Sequence, residues 1–121
     1  MLKTLKNLPR RARKAMMYSL QGLWAAFRKE EAVKLEFLSL LILVLILSAV
    51  EWVFWKKLTL VAVFLLIPLT ELFNSAVEDI CDLVSPEFNP KVRDAKDKGS
   101  AAVLLAIIIS LLTLWGLLSM P

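Results

Sequence analysis

Three long apolar segments, each with at most one charged residue, dominate the sequence. Phe37 to Trp55 contains only Glu51, Leu58 to Val77 contains only Glu71, and Gly99 to Pro121 contains no charge. A transmembrane helix requires about 20 mostly apolar residues, so all three are long enough to span a bilayer. Lipid leaves no water for backbone groups, and each span must therefore be helical. The sequence predicts an all-α membrane protein with three transmembrane helices.

A basic, amphipathic segment precedes the first span. Within residues 1–34, the stretch from Tyr18 to Phe27 places Leu20, Leu23, Trp24 and Phe27 on one face of a helix. Apolar side chains on one face and basic flanks are typical of a helix that lies on an anionic membrane surface. We therefore expect a single domain over residues 1–121, with an N-terminal surface helix region in residues 1–34 and the three spans behind it.

The distribution of Lys and Arg predicts the orientation in the membrane. Nine precede the first span, two lie between the first and second spans, four lie between the second and third, and none follows. The positive-inside rule then places the N-terminus and the second loop in the cytoplasm. The turn near Lys56 and the C-terminus are expected outside, with Trp52, Trp55 and Trp115 near the outer interface.

The residue inventory excludes several kinds of chemistry. The chain has no histidine, a single cysteine (Cys81) and three glycines. An intramolecular disulfide is impossible, and neither a Walker loop nor a G-x-G-x-x-G loop can be formed. Any catalysis must therefore rely on carboxylate, amide, Lys, Arg, Ser or Tyr side chains.

A polar stripe enters the second span. Glu71, Asn74, Glu78 and Asp82 lie at offsets of 0, 3, 7 and 11, which place them along one side of a helix. Carboxylates inside a bilayer are costly and usually mark a functional site. The alternative is a structural role, in which the side chain forms a packing hydrogen bond or extends its charge to the membrane surface. This alternative applies most to Asp82.

Further polar residues lie near the same predicted membrane surface. Lys96 and Ser100 form an i, i+4 pair at the expected start of the third helix, where the Lys can bind phosphate and Asp97 is either a helix cap or a ligand contact. Glu30 and Glu36 are either solvated flanks of the first span or carboxylates that share a cation with Glu78. Mg²⁺ takes such oxygen ligands together with substrate phosphate.

Two motifs resemble the signature of the bacterial integral-membrane diacylglycerol kinase family. They are ELFNSAVE, from Glu71 to Glu78, and AKDKGSAAVL, from Ala95 to Leu104. The segment from Tyr18 to Glu30 and the later Glu36 match as well. The resemblance implies a surface helix plus three transmembrane helices, assembled as a homotrimer in the bacterial inner membrane. It also implies composite sites on the cytoplasmic side, built from more than one subunit.

The resemblance implies roles for individual residues. Glu71 corresponds to the general base for the lipid hydroxyl, Asn74 to a residue that orients Glu71 or the phosphate, and Ser100 to a lipid-side position. Glu30 and Glu78 correspond to the pair that holds a divalent ion, Mg²⁺, on ATP. The remaining matches are nucleotide contacts: Arg11, Tyr18, Glu87, Lys96 and Asp97, with Lys96 also neutralising phosphate charge. Two features depart from the pattern, namely Leu35 at a usually polar position and the prolines Pro86 and Pro90 in the second loop.

The expected activity is transfer of the ATP γ-phosphate to the hydroxyl of diacylglycerol, giving phosphatidic acid. Undecaprenol kinases belong to the same family, and undecaprenol is the alternative lipid substrate. A different class also remains open, a non-catalytic membrane oligomer or channel with the acidic stripe lining a pore. The expected partners are ATP, a membrane lipid, the bilayer and further copies of the chain, with no nucleic acid.

Overall fold

The chain is all-helical in a computed structural model that describes residues 8–120. Within this range five helices follow one another: α1 Leu8–Lys29, α2 Glu31–Ala49, α3 Phe54–Phe64, α4 Leu66–Val84 and α5 Pro90–Ser119. Three stretches are long and apolar enough to cross a membrane, namely Glu31–Ala49, Phe54–Val84 and Pro90–Ser119. The predicted fold class is thereby confirmed. Residues 1–7 of the predicted surface region and Pro121 at the end of the third span lie outside the described residues.

The N-terminal unit, up to Glu31, is described by itself. Helix α1 covers the predicted amphipathic stretch, and its last turn carries Arg28 and Lys29. The apolar side chains of the predicted face, Leu20, Leu23, Trp24 and Phe27, are exposed. The helical periodicity predicted for this segment is therefore present in α1.

The turn between the first two spans lies earlier than predicted. Helix α2 ends at Ala49 and α3 begins at Phe54, so Lys56 and Lys57 lie in the first turn of a helix and not in a loop. The Lys56 side chain is only 8% exposed. Its Nζ donates to the carbonyl of Met120 at 3.0 Å, at the end of α5, where carbonyls lack intrahelical partners. The Lys side chain is thus packed against the end of α5, which a count of charges along the chain cannot anticipate.

The second span is interrupted near its proline. Helix α3 ends at Phe64, Leu65 separates the two helices, and α4 carries Pro68 in its first turn. Pro68 has no N–H to donate to the carbonyl of Phe64, so the expected distortion falls one turn before Pro68. Ser110 of α5 donates to the carbonyl of Val63 at 3.2 Å, beside this interruption.

The third span begins nine residues before Gly99, the predicted start. Asn89 caps α5 by accepting a hydrogen bond from the Lys91 N–H at 2.9 Å, and Pro90 occupies the first helical turn, which it suits because it needs no N–H partner there. The prediction that Lys96, Asp97 and Ser100 open the helix is wrong, since they lie further along it. Asp97 is therefore not a cap of this helix.

A small core holds the spanning helices of residues 32–120 together. Helices α3 and α4 both pack against α5. Leu47, Leu60 and Leu117 form the buried cluster at one end of the bundle. No more than 17% of each spanning window is buried within the chain. Most apolar side chains therefore face outward, as lipid-facing or subunit-facing surfaces do.

Candidate functional site

The polar stripe lies on α4 as the sequence predicted. Asn74 is buried, with 6% of its surface exposed, while Glu71 and Glu78 are half-buried and Asp82 is exposed. The Asn74 amide Nδ2 donates to Glu78 Oε1 at 3.3 Å. The stripe therefore includes a direct link between its amide and one of its carboxylates, and it runs from a buried to an exposed position.

Lys96 of α5 joins this stripe. Its Nζ is 2.5 Å from Asp82 Oδ1, which ties α5 to the exposed end of the stripe on α4. Charge-assisted hydrogen bonds of this kind are short and directional. The pairing places an ammonium group beside the carboxylates of α4. A Lys in this position can neutralise phosphate charge.

A polar hollow of about 270 Å³ opens at the turn between α4 and α5. Its lining includes Glu87 of the turn together with Lys96 and Asp97 of α5. The Ser85 hydroxyl donates to the carbonyl of Glu87 at 3.2 Å and shapes the turn. Asp97 is paired with Arg93 at 3.8 Å. Three of the residues expected to contact the nucleotide are thus brought to one hollow.

Glu36, which the sequence offered as a solvated flank or as a carboxylate sharing a cation with Glu78, lies close to Glu71 instead. It lies on α2, and its negative charge interacts with that of Glu71 on α4. Its Oε2 is buried and has no hydrogen-bond partner among residues 8–120. Glu36 directly precedes the predicted first span and Glu71 lies six residues from the end of the second, both on the predicted cytoplasmic side, and this is the sequence signal that could have paired them.

Glu36 also lines a groove of about 300 Å³ beside the interruption of the second span. Apart from Glu36 and Ser39 its lining is apolar, with Leu35, Leu40, Phe64, Ile67, Pro68 and Ile107. The hydroxyl of Ser39 is bonded to the Leu35 carbonyl of its own helix at 2.7 Å. The groove therefore combines an apolar wall with a carboxylate, as an amphiphilic ligand requires.

The other predicted site residues lie on α1 or on the exposed surface of α5. Arg11 and Tyr18 are exposed on α1. Glu30, just after α1, is half-buried and lies 3.8 Å from the Nζ of Lys29. Ser100 is exposed on α5. The roles of these four residues remain predictions.

Comparison with known proteins identifies the family. Residues 17–118 match the family model described as prokaryotic diacylglycerol kinase. The diacylglycerol kinase of Escherichia coli K12 is 36% identical over 105 residues, which cover 87% of this chain and 85% of that protein. The diacylglycerol kinase of Pseudomonas aeruginosa is 38% identical over 79% of this chain and 78% of its own length. That of Helicobacter pylori 26695 is 33% identical over 85% of this chain and 80% of its own length. The match covers α5, α4 with its carboxylate stripe and most of α1, and the chain belongs to the prokaryotic diacylglycerol kinase family.

Proposed function

We propose that this protein is a lipid kinase that transfers the γ-phosphate of ATP to the hydroxyl of diacylglycerol, giving phosphatidic acid and ADP. The observation that carries the proposal is the stripe of Glu71, Asn74 and Glu78 on α4, which follows the groove-lining Ile67 and Pro68 and precedes Asp82, a residue that lines the polar hollow with Lys96. The family membership and the names of the relatives support diacylglycerol as the lipid. A non-catalytic channel has no observation in its favour.

Glu71 would act as the general base. It is half-buried on α4, one turn after Ile67 and Pro68, which line the apolar groove through which a lipid hydroxyl would arrive. It would take the hydroxyl proton as the lipid oxygen attacks the γ-phosphorus and the bond to the β-phosphate oxygen breaks.

Lys96 would stabilise the charge that builds on the phosphoryl group. Phosphoryl transfer depends mainly on positioning and on electrostatic stabilisation of the phosphate oxygens. The ion pair with Asp82 holds the Lys96 ammonium beside the stripe, at the edge of the polar hollow. Glu87 and Asp97, which line the same hollow, are proposed to contact the nucleotide, with Arg11 and Tyr18 of α1 as further contacts.

Mg²⁺ is the proposed metal, with Glu78 and Glu30 as its protein ligands. No group of three or more Asp, Glu or Cys side chains in residues 8–120 forms a metal-binding cluster. Mg²⁺ on ATP suits such a site, because it usually takes only one or two carboxylates and fills its shell with phosphate oxygens and water. One oxygen of Glu78 is already oriented by Asn74, as metal-binding carboxylates usually are. When bound, the ion would neutralise negative charge on the β- and γ-phosphates.

Transfer of the terminal phosphate to lipid tests the activity. Purified protein in mixed micelles with Mg²⁺ and ATP labelled at the γ-phosphate should place the label in the lipid phase when diacylglycerol is present. The 3-O-methyl ether of the same lipid has no hydroxyl to phosphorylate and should take up no label. Equal labelling with both lipids, or ATP hydrolysis without any lipid product, would refute the proposal.

We also propose that the stripe opens to the cytoplasm of a bacterial inner membrane, where ATP is available. The support is the excess of Lys and Arg in the N-terminal region and in the first turns of α5. Glu51, in the turn between α2 and α3, and Lys91, near the start of α5, are both exposed.

In a Cys81→Ser background, Glu51→Cys should react with an impermeant thiol reagent in spheroplasts. Lys91→Cys should react only after permeabilisation. The opposite pattern would reverse the orientation.

A homotrimer with sites shared between subunits is the proposed assembly. One chain buries little of its spanning surface, and further copies can cover the polar stripe.

Variants Glu30→Ala and Glu71→Ala should each be inactive. The two variants are mixed in equal amounts. If one site takes Glu30 and Glu71 from different chains, random co-assembly gives about a quarter of the sites both intact residues. Recovery of roughly that share of wild-type activity is expected. No recovery in verified mixed oligomers would mean that one chain supplies both residues.

A further inference from the structure

Gly99 on α5 faces the buried Asn74 on α4. A Cβ atom at position 99 would overlap Asn74 Oδ1 and would lie 3.3 Å from its Cγ. It would remain at an ordinary contact distance, 3.7 Å, from the Asn74 Cα. A side chain at this position would therefore displace the Asn74 amide and not the backbone of α4.

Backbone conformation does not explain a glycine here. No residue in the part of the chain that the structure describes has a positive φ, so Gly99 adopts a conformation open to any amino acid. Glycine inside a helix is less favourable than alanine because it loses more backbone freedom. Gly22 and Gly116, the other two glycines, have no atoms close to where a Cβ would stand. The requirement for glycine at position 99 is therefore a requirement for space.

The space is occupied by an amide whose orientation matters. Asn74 Nδ2 donates to Glu78 Oε1 at 3.3 Å, while Asn74 Oδ1 is buried and has no hydrogen-bond donor among residues 8–120. The reverse orientation would bring the amide oxygen against the Glu78 carboxylate, which offers no hydrogen to an acceptor. Only the orientation that points Oδ1 at Gly99 gives Glu78 a donor.

We propose that Gly99 is a positioning residue, whose missing side chain lets the Asn74 amide hold the Glu78 carboxylate in its metal-binding orientation. The proposal rests on the proposed function in one respect, the role of Glu78 as a ligand of Mg²⁺. The contact between Gly99 and Asn74 is independent of that role. The two parts therefore need separate measurements.

Thermal unfolding of four variants tests the contact. Gly116→Ala, in the same helix but with open space, should keep or raise the Tm in detergent micelles, because alanine favours the helix. Gly99→Ala should lower it. In an Asn74→Ala background, where the space is restored, Gly99→Ala should raise the Tm as Gly116→Ala does. If Gly99→Ala changes the Tm by the same amount in the wild-type and the Asn74→Ala backgrounds, the proposal is overturned. If Gly99→Ala does not fold alone, recovery of folded protein in the double variant supports the contact, and failure to recover overturns it.

The Mg²⁺ dependence of activity tests the positioning role. Loss of a group that orients a metal ligand typically costs about 10- to 100-fold in metal affinity or activity. The Mg²⁺ concentration for half-maximal activity should therefore rise at least about tenfold in Gly99→Ala and stay unchanged in Gly116→Ala. An unchanged value in folded Gly99→Ala would overturn the proposal. Normal Mg²⁺ dependence in Glu78→Gln would instead refute the metal role of Glu78, while the result of the unfolding experiment would stand.

Discussion

Replacing Glu71 with glutamine is expected to lower the rate of lipid phosphorylation by about 10²- to 10⁴-fold, the usual contribution of a general base. Glutamine has the same shape and can still form hydrogen bonds, but its amide cannot accept the proton of the lipid hydroxyl. Glu71 is half-buried on α4, one turn after Ile67 and Pro68, which line the apolar groove. The loss should therefore appear in kcat, with little change in the KM for ATP, because the nucleotide is proposed to bind at the other end of the stripe.

Glu51→Gln is the matched control for this variant. Glu51 carries the same functional group but lies in the exposed turn between α2 and α3. It should retain wild-type kcat and KM, which would show that the loss at Glu71 is not a general effect of replacing a glutamate with glutamine. A folded Glu71→Gln protein with kcat within a few-fold of wild type would remove Glu71 from the mechanism.

Glu78→Gln is expected to lose more than about 100-fold of its Mg²⁺-dependent activity. Removing a residue that only orients a metal ligand typically lowers metal affinity or activity by about 10- to 100-fold. Removing a direct ligand should lower it further. An amide carries no negative charge to attract the cation, although it keeps the shape of the side chain. The measurement is the rate as a function of Mg²⁺ concentration at saturating ATP, where the variant should need far more Mg²⁺ than the wild type.

Asp79→Asn provides the control on the neighbouring residue. Asp79 follows Glu78 on α4 but is exposed and lies outside the stripe. Its replacement removes one negative charge at nearly the same depth and should leave the Mg²⁺ dependence unchanged. If Asp79→Asn and Glu78→Gln shift the Mg²⁺ dependence equally, the cation responds to local charge and has no specific ligand at position 78.

The spans and the stripe were predictable because they depend on local pattern. An apolar segment of about 20 residues must form a helix in lipid, whatever packs against it. The offsets that align Glu71, Asn74 and Glu78 follow from the geometry of one helix. The family motifs then connected this stripe with Lys96 and Asp97, and in the structure Lys96 does reach the stripe, through Asp82.

The helix ends and the contacts between helices were not predictable in this way. Lys56 was expected in a loop because it is charged, but its ammonium group binds a carbonyl at the end of α5. Helix α5 begins at Pro90 and includes charged residues that were assigned to the loop. The proximity of Glu36 to Glu71 and of Gly99 to Asn74 depends on how separate helices pack. Such contacts leave no periodic signal along a single sequence.

Competition between two lipids tests whether this protein phosphorylates diacylglycerol. Diacylglycerol and undecaprenol are supplied at equal mole fraction in the same micelles, with purified protein, Mg²⁺ and ATP, and both phosphorylated lipids are quantified by mass spectrometry from initial rates. Phosphatidic acid is expected as the main product, and it should disappear with Glu71→Gln. Undecaprenyl phosphate as the main product, or ADP formed without either lipid phosphate, would contradict this expectation.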